Sequence, residues 1–423
     1  MDELGRHLRI AFLGSWVPRR CGIATFTRDL RDAIEASDPT TICGVVAIDE
    51  PGALRQYDPT LIARVRQADA ASYRRAAAHA QSWGADVVSV QHEFGLYGSY
   101  DGVTYTDHLA GFLERLRVPS VVTLHTVLPK PEAWMRDTVR TIAGLSSAVI
   151  VMSATAQQLL HEDYGIAEPA VVIPHGAPPI ARTPGGRAAA KEGLGLAGRT
   201  VVSTFGLVDP RKGLEYAIEA LATVVRAHPD VMYVIAGQTH PELIRREGEA
   251  YRAELVRRVA EHGLQDHVRF IDEYLTLDAI VELLRASDAY VTPYLDPNQI
   301  TSGTLAYAIG AGCAIVSTRY LHAAEALGDG RGLLVDFRSS TDIAAALCAI
   351  LGAPTVRHAL EEQAYAYGRE ATWPHLGAVV LAQLSTLAGR PSAAPTPLRP
   401  AVGVASATAS ATGTSGVHAA LAR

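Results

Sequence analysis

The chain has 423 residues, is 48% hydrophobic and carries a formal net charge of −6. That size and apolar content fit a globular protein of two or three domains. The mildly acidic balance gives no basic footprint for nucleic acid. No apolar run approaches the roughly 18–20 residues of a membrane span, which leaves only peripheral membrane contact open.

The first residues, MDELGRHLRI, lack an apolar signal region, so a cytoplasmic location is expected. Cys21, Cys43, Cys313 and Cys348 lie far apart and form no CxxC or Cys/His ligand spacing. Reduced thiols and no metal site are the expectation.

In chain order, RIAFLG (9–14), ICGVVAI (42–48), DVVSVQ (86–91), SVVTLHT (120–126) and AVIVM (148–152) are rich in Val and Ile and predict buried parallel strands. Helices are predicted between them, for example over residues 25–36 and 105–116. After a Pro/Gly-rich join, IPHGAPPIARTPGG (173–186), a second series follows: VVSTFG (201–206), VMYVIAG (231–237), VRFI (268–271), AYVTP (289–293) and CAIVST (313–318). Leu214, Ala217, Ile218, Leu221 and Val225 form the apolar stripe of a helix over 214–225.

Alternation of this kind implies two doubly wound α/β domains, with ligands at the carboxyl ends of the strands and in the cleft the domains face. The expected division is a domain over 1–178, a linker over 179–199, a domain over 200–368 and a closing helix within 369–390. The Ala-, Ser-, Pro- and Thr-rich residues 391–423 have little to bury and are expected to be disordered.

The strand-to-helix turn GSWVPRRCGIATF carries Arg19, Arg20 and Gly22. It reads either as an anion site, with two guanidinium forks beside a helix start, or as a solvated turn. It has no GxGxxG fingerprint for a dinucleotide. QHEFGLYG places His92 and Glu93 at the same sheet edge, to bind a substrate hydroxyl, to fix each other by a hydrogen bond, or to close a strand end. His125 ends the TLHT strand there too, as a site residue or a structural one. FGLVDPRKGLEYAIEA sets Arg211 and Lys212 before a helix in the second series, which makes an anion site from charge and helix dipole. In PYLDPNQITSGTLAYAIGAG, the polar group Asn298, Gln299, Thr301, Ser302, Gly303 and Thr304 exceeds what one helix cap requires and points to ligand contact.

These residues together resemble the retaining GT-B glycosyltransferases of family 4, over about residues 8–388. The resemblance implies transfer of a hexose, such as mannose or glucose, from a nucleotide-sugar donor to a carbohydrate or glycolipid acceptor, without metal or other cofactor. It implies that Gly22 lies in the loop shared by donor and acceptor, that His125 contacts the donor sugar and that Lys212 pairs with the donor diphosphate. Arg19, Arg20, His92 and Glu93, read from the residues alone, are the candidates for binding the acceptor or a sugar. The family's Arg partner of that Lys falls at Leu207, and Arg211 is the candidate substitute. The family's two loop glutamates fall at Gln299 and Tyr307, so both carboxylates are absent. Ser302-Gly303-Thr304 also resembles the Ser-Gly-Thr of the glycogen-phosphorylase family, which uses a sugar 1-phosphate. A glycoside phosphorylase and a non-catalytic sugar- or nucleotide-binding protein are therefore the alternatives.

Overall fold

A computed structural model describes residues 7–100 and 105–390. The expected disorder of 391–423 falls outside those residues.

The described chain divides into two compact units. The first unit runs to Gly176 and resumes at Thr372. It holds β1 (Arg9–Gly14), β2 (Ile42–Asp49), β3 (Leu61–Arg66), β4 (Val87–His92), β5 (Gly98–Tyr100), β6 (Tyr105–Asp107), β7 (Ser120–Leu124), β8 (Ala148–Val151) and β9 (Val171–Val172). Seven of these form one parallel sheet in the order β3-β2-β1-β4-β7-β8-β9. The β-branched runs explain the arrangement: every residue of β4 and β7 is buried, as strands covered on both faces require. The order reverses beside β1, which opens a crevice at the carboxyl ends of β1 and β4.

The second unit spans Ala177–Ala371. It contains β10 (Thr200–Phe205), β11 (Val231–Ala236), β12 (Val268–Ile271), β13 (Ala289–Thr292), β14 (Ile315–Thr318) and β15 (Leu333–Val335), in the parallel order β12-β11-β10-β13-β14-β15. Its reversal lies between β10 and β13. The apolar face of the helix Leu214–Ala227 packs through Leu214, Ala217, Ile218 and Leu221 into one of the two cores that flank this sheet.

Several expectations change. The stretch 105–116 is not one helix: β6 pairs with β5 as a hairpin, and a short helix, Leu109–Leu113, follows. Asp107 causes the break, because its Oδ1 accepts the Leu109 amide at 2.8 Å and starts the helix there. The stretch 179–199 is not a free linker. It holds the helix Gly186–Gly193 and belongs to the second unit, because Arg182, Arg187 and Lys191 are ion-paired to Glu361 and Asp288 of that unit. The closing helix Trp373–Leu387 belongs to the first unit, where it packs along the helix Gly22–Ser37. A β-carbon on Gly377 would come within 2.5 Å of the Ala33 carbonyl, so only glycine permits that approach. The four cysteines are free thiols.

Candidate functional site

In the first unit, the carboxyl ends of β1, β4 and β7 carry the predicted residues. Gln91 and His92 end β4 and are fully buried. His125 follows β7 directly, and its amide donates to the His92 carbonyl at 3.0 Å. The His125 ring is 5% exposed and meets Phe26 edge-on at 4.7 Å. Its Nε2 is 3.0 Å from Gln91 Oε1, while Gln91 Nε2 donates to Ser89 at 3.2 Å. That amide orientation makes Nε2 the protonated nitrogen and leaves Nδ1 as an acceptor. Burial lowers the His125 pKa to about 3, with the neighbouring His175 and His92 adding to the effect. The imidazole is therefore neutral near pH 7 and suits a hydrogen bond to a hydroxyl, not donation of a catalytic proton.

His92 and Glu93 do not bond to each other. The strand ends at His92, which stacks on Tyr97 at 5.4 Å with its Nε2 3.5 Å from Asp107. Glu93 instead accepts Thr126 Oγ1 and the Phe94 amide, each at 2.9 Å. Burial raises its pKa above the usual carboxyl value.

At the turn after β1, Cys21 caps the helix Gly22–Ser37, and its Sγ lies 2.9 Å from Ser15 Oγ. Gly22 is exposed at the first helical position with open space beside it. Arg19 reaches Glu50 at 3.5 Å, so its fork is partly engaged within the protein, while Arg20 is exposed.

In the second unit, three segments converge at the carboxyl edge. After β10, Asp209 caps the single turn Pro210–Lys212, and Gly213 ends it with φ 59°. That left-handed geometry favours glycine, and a β-carbon there would meet the Pro293 carbonyl at 2.2 Å. The turn aims Lys212 inward: its Nζ lies 2.9 Å from Tyr294 Oη and 4.6 Å from the ring centre. Tyr294 Oη is 2.7 Å from Thr304 Oγ1, which is 3.3 Å from Ser302 Oγ. Ser302 caps the helix Gly303–Ala311, so the leading amides of that helix face the same place as the ammonium. A β-carbon on Gly206 would lie 3.2 Å from Lys212 Nζ and 3.1 Å from Thr304 Cγ2, which shows how closely the strand end, the lysine and the helix start meet. One cation, two hydroxyls and a helix N-terminus meet here, a set of groups whose chemistry suits a phosphate cradle.

Three predicted members stand apart from this cradle. Arg211 is closed on Asp209 through contacts of 2.9 and 3.0 Å, because a carboxylate two residues back captures it. Its guanidinium is thus engaged by Asp209 and not by the Lys212 group. Tyr307 is 6% exposed and sits in the apolar core, 6.2 Å from Phe205, since the second turn of its helix faces the sheet. Gln299 is partly buried and donates to the Thr301 carbonyl at 3.1 Å, which shapes the loop. Sequence reasoning missed Tyr294, which links Lys212 to Thr304, and His322, whose Nδ1 accepts the Ser302 amide at 2.9 Å. Tyr294 had a signal: it follows the end of a strand by two residues. His322 had none, as it comes from the far side of β14.

Among the described residues, no three His, Cys, Asp or Glu side chains converge as a metal cluster would, and no single helix is long and apolar enough to cross a membrane.

The family model for Glycosyltransferase Family 4 matches residues 21–179, and that for Glycosyl transferases group 1 matches residues 188–367. A D-inositol 3-phosphate glycosyltransferase of Nocardia farcinica is 28% identical over 281 residues, 62% of this chain and 60% of that protein. The chain thus aligns with about three fifths of that relative's length. The lipopolysaccharide core biosynthesis mannosyltransferase LpsB of Rhizobium meliloti is 32% identical over 133 residues, 30% of this chain and 34% of that one. Among solved structures, Anabaena Alr3699/HepE in complex with UDP matches with a TM-score of 0.68 at 19% identity, covering 90% of this chain and all of that one. Sucrose-phosphate synthase of Thermosynechococcus elongatus matches at 0.66 and 17%, covering 90% and 98%. At these identities the structural likeness establishes the fold.

Proposed function

Since the chain belongs to the GT-B glycosyltransferases, with a family 4 module followed by a group 1 module, we propose that it transfers a hexosyl group from a nucleotide-sugar donor to a carbohydrate or glycolipid acceptor, with retained anomeric configuration and no metal. The observation that carries this reading is Lys212, held 2.9 Å from Tyr294 Oη at the head of the helix capped by Ser302. The ammonium and the helix amides stabilise charge on the leaving diphosphate, where charge develops as the glycosidic bond breaks. The acceptor hydroxyl attacks from the same face, and its proton passes to the departing phosphate oxygen. The protein then needs to position and to stabilise, and it needs no glycosidase-style carboxylate pair. His125, neutral, accepts a hydrogen bond from a sugar hydroxyl. Gly22 lies in the loop shared by donor and acceptor, and Arg19 and Arg20, with His92 and Glu93, serve the acceptor or sugar.

Two similarities support this choice of substrates. Alr3699/HepE is described in complex with UDP-glucose, and LpsB is a mannosyltransferase. The test is a panel of UDP-, GDP- and ADP-hexoses with released nucleoside diphosphate as the readout, on the wild type and Lys212→Ala. Release that needs Lys212 supports transfer. Release of none of the nucleotides rejects it.

One observation favours a second reading. Neither Gln299 nor the buried Tyr307 offers a carboxylate to ribose hydroxyls. A phosphorylase needs none, and Ser302, Thr304 and Lys212 would hold inorganic phosphate. Phosphate-dependent formation of a sugar 1-phosphate would establish that reading in place of the first.

A further inference from the structure

A cavity of about 190 Å³ lies in the second unit, walled in part by Arg182, Thr183, Arg187, Arg285, Gly312 and Glu361. It sits at the amino edge of the sheet, because its wall includes Cys313, just before β14, and Arg285, just before β13. Lys212 and Ser302 lie at the opposite, carboxyl edge. The cavity is therefore separate from the phosphate cradle.

Its charges do not balance. Glu361 and Asp288 are both 4% exposed. Glu361 receives Arg187 at 2.6 Å, Arg182 at 3.3 Å and Arg357 at 3.7 Å. Asp288 receives Lys191 at 2.6 Å, Arg357 at 3.2 Å and Arg187 at 3.8 Å. Two buried carboxylates thus share four cations, and Arg285 adds a fifth at the wall. Glu362 pairs with Arg182 and Glu282 with Arg285, both with half-exposed side chains, so five cations still face four carboxylates. The Nε of Arg187 is buried and has no hydrogen-bond partner among the described residues. Arg182 is fixed further by lying over the Tyr365 ring at 5.1 Å. Partly buried cations in excess are costly unless an anion joins them, and guanidinium forks match phosphate oxygens.

The rest of the wall has the opposite polarity. The helices Leu277–Ala286 and Gly303–Ala311 both end there, and helix C-termini present carbonyls that accept hydrogen bonds and disfavour a second anion. We propose that this cavity binds a phosphomonoester of a hydroxylated small molecule, such as a sugar phosphate. The phosphate sits on Arg182, Arg187 and Arg285, and the hydroxyl groups face the helix ends. The volume exceeds a single water's by far.

The test is calorimetric titration of the full chain carrying Lys212→Ala, which disables the cradle, with glucose 6-phosphate and with inorganic phosphate as probes. Glucose 6-phosphate is expected to bind the Lys212→Ala protein, and to bind at least tenfold more weakly when Arg182→Gln or Arg285→Gln is added. Arg285 is at the rim, so that variant keeps the test readable if Arg182→Gln unfolds. Inorganic phosphate is expected to bind more weakly than the sugar phosphate, and equal affinity overturns the ligand class. Absence of binding, or binding indifferent to both arginine changes, overturns the site.

Discussion

Lys212 is held by Tyr294 through a hydrogen bond of 2.9 Å to the hydroxyl, which leaves the ammonium 4.6 Å from the ring centre. A lysine tethered in this way has lost much of its side-chain freedom before any ligand arrives, so less entropy is lost on binding. Lys212→Ala should remove a charge-assisted contact of about 1.5–3 kcal/mol, roughly a tenfold to hundredfold loss in kcat/KM. Tyr294→Phe keeps the ring and removes the hydroxyl, so its loss should be about fivefold. Steady-state kinetics on both variants check the order. A Tyr294→Phe effect as large as that of Lys212→Ala would mean that the tyrosine, not the lysine, holds the phosphate.

His125 gives the first unit a pH signature. Its pKa is lowered to about 3 when folded, against about 6.5 in the unfolded chain. Between those values the unfolded state binds the extra proton, so this group makes stability rise with pH from about 3 to 6.5 and contributes nothing further above that window. The slope is of order 1 kcal/mol per pH unit. His125→Gln should therefore flatten the fall in melting temperature between pH 6.5 and pH 4. An unchanged slope in thermal melts across that range would refute the assignment.

Restoring the family's second loop carboxylate is expected to fail. Tyr307 is 6% exposed within the core, so Tyr307→Glu places a carboxyl among apolar neighbours. The cost should be about 3 kcal/mol or more, a fall in melting temperature of roughly 3–4 °C for a chain of 423 residues. Calorimetry of the variant checks this. Undiminished stability with tighter nucleoside diphosphate binding would place Tyr307 back in the pocket.

Two glycines should behave in opposite ways. Gly213 has φ 59°, and a β-carbon there would sit 2.2 Å from a backbone carbonyl. Gly213→Ala should cost at least about 2 kcal/mol, from left-handed strain and displacement of the Lys212 turn. Gly22 faces open space, so Gly22→Ala should leave stability within about 0.5 kcal/mol. Denaturant unfolding of both variants provides the comparison.

The strands were legible wherever they are long and buried on both faces, because a run such as VVSVQH has no other economical arrangement. The strands that escaped are β3, β9 and β15, at the edges of the two sheets, and β5 and β6, the arms of a small hairpin; the partly exposed residues of the edge strands blur the pattern. Lys212 and the Ser302–Thr304 group were legible because a cation or hydroxyl at a strand-to-helix turn is placed by local geometry alone. Arg211 and Tyr307 were not, for different reasons. Asp209 competes for the arginine at short range, and the face Tyr307 occupies depends on the angle at which its helix meets the sheet. The link from Lys212 through Tyr294 to Thr304 joins residues 82 and 10 positions apart, and no sequence pattern encodes that.

The pairing of the helix Trp373–Leu387 with the helix Gly22–Ser37 makes the first unit discontinuous, with the whole second unit encoded between its parts. During synthesis, the ribosome finishes the first sheet some 200 residues before it delivers the helix that covers Phe26, Leu30 and Ile173. At about 5–20 residues per second that is an interval of roughly 10–40 s. For that time the nascent chain carries an uncovered apolar face while its middle folds, so this is the interval in which a chaperone or a premature stop would matter most to the protein's fate.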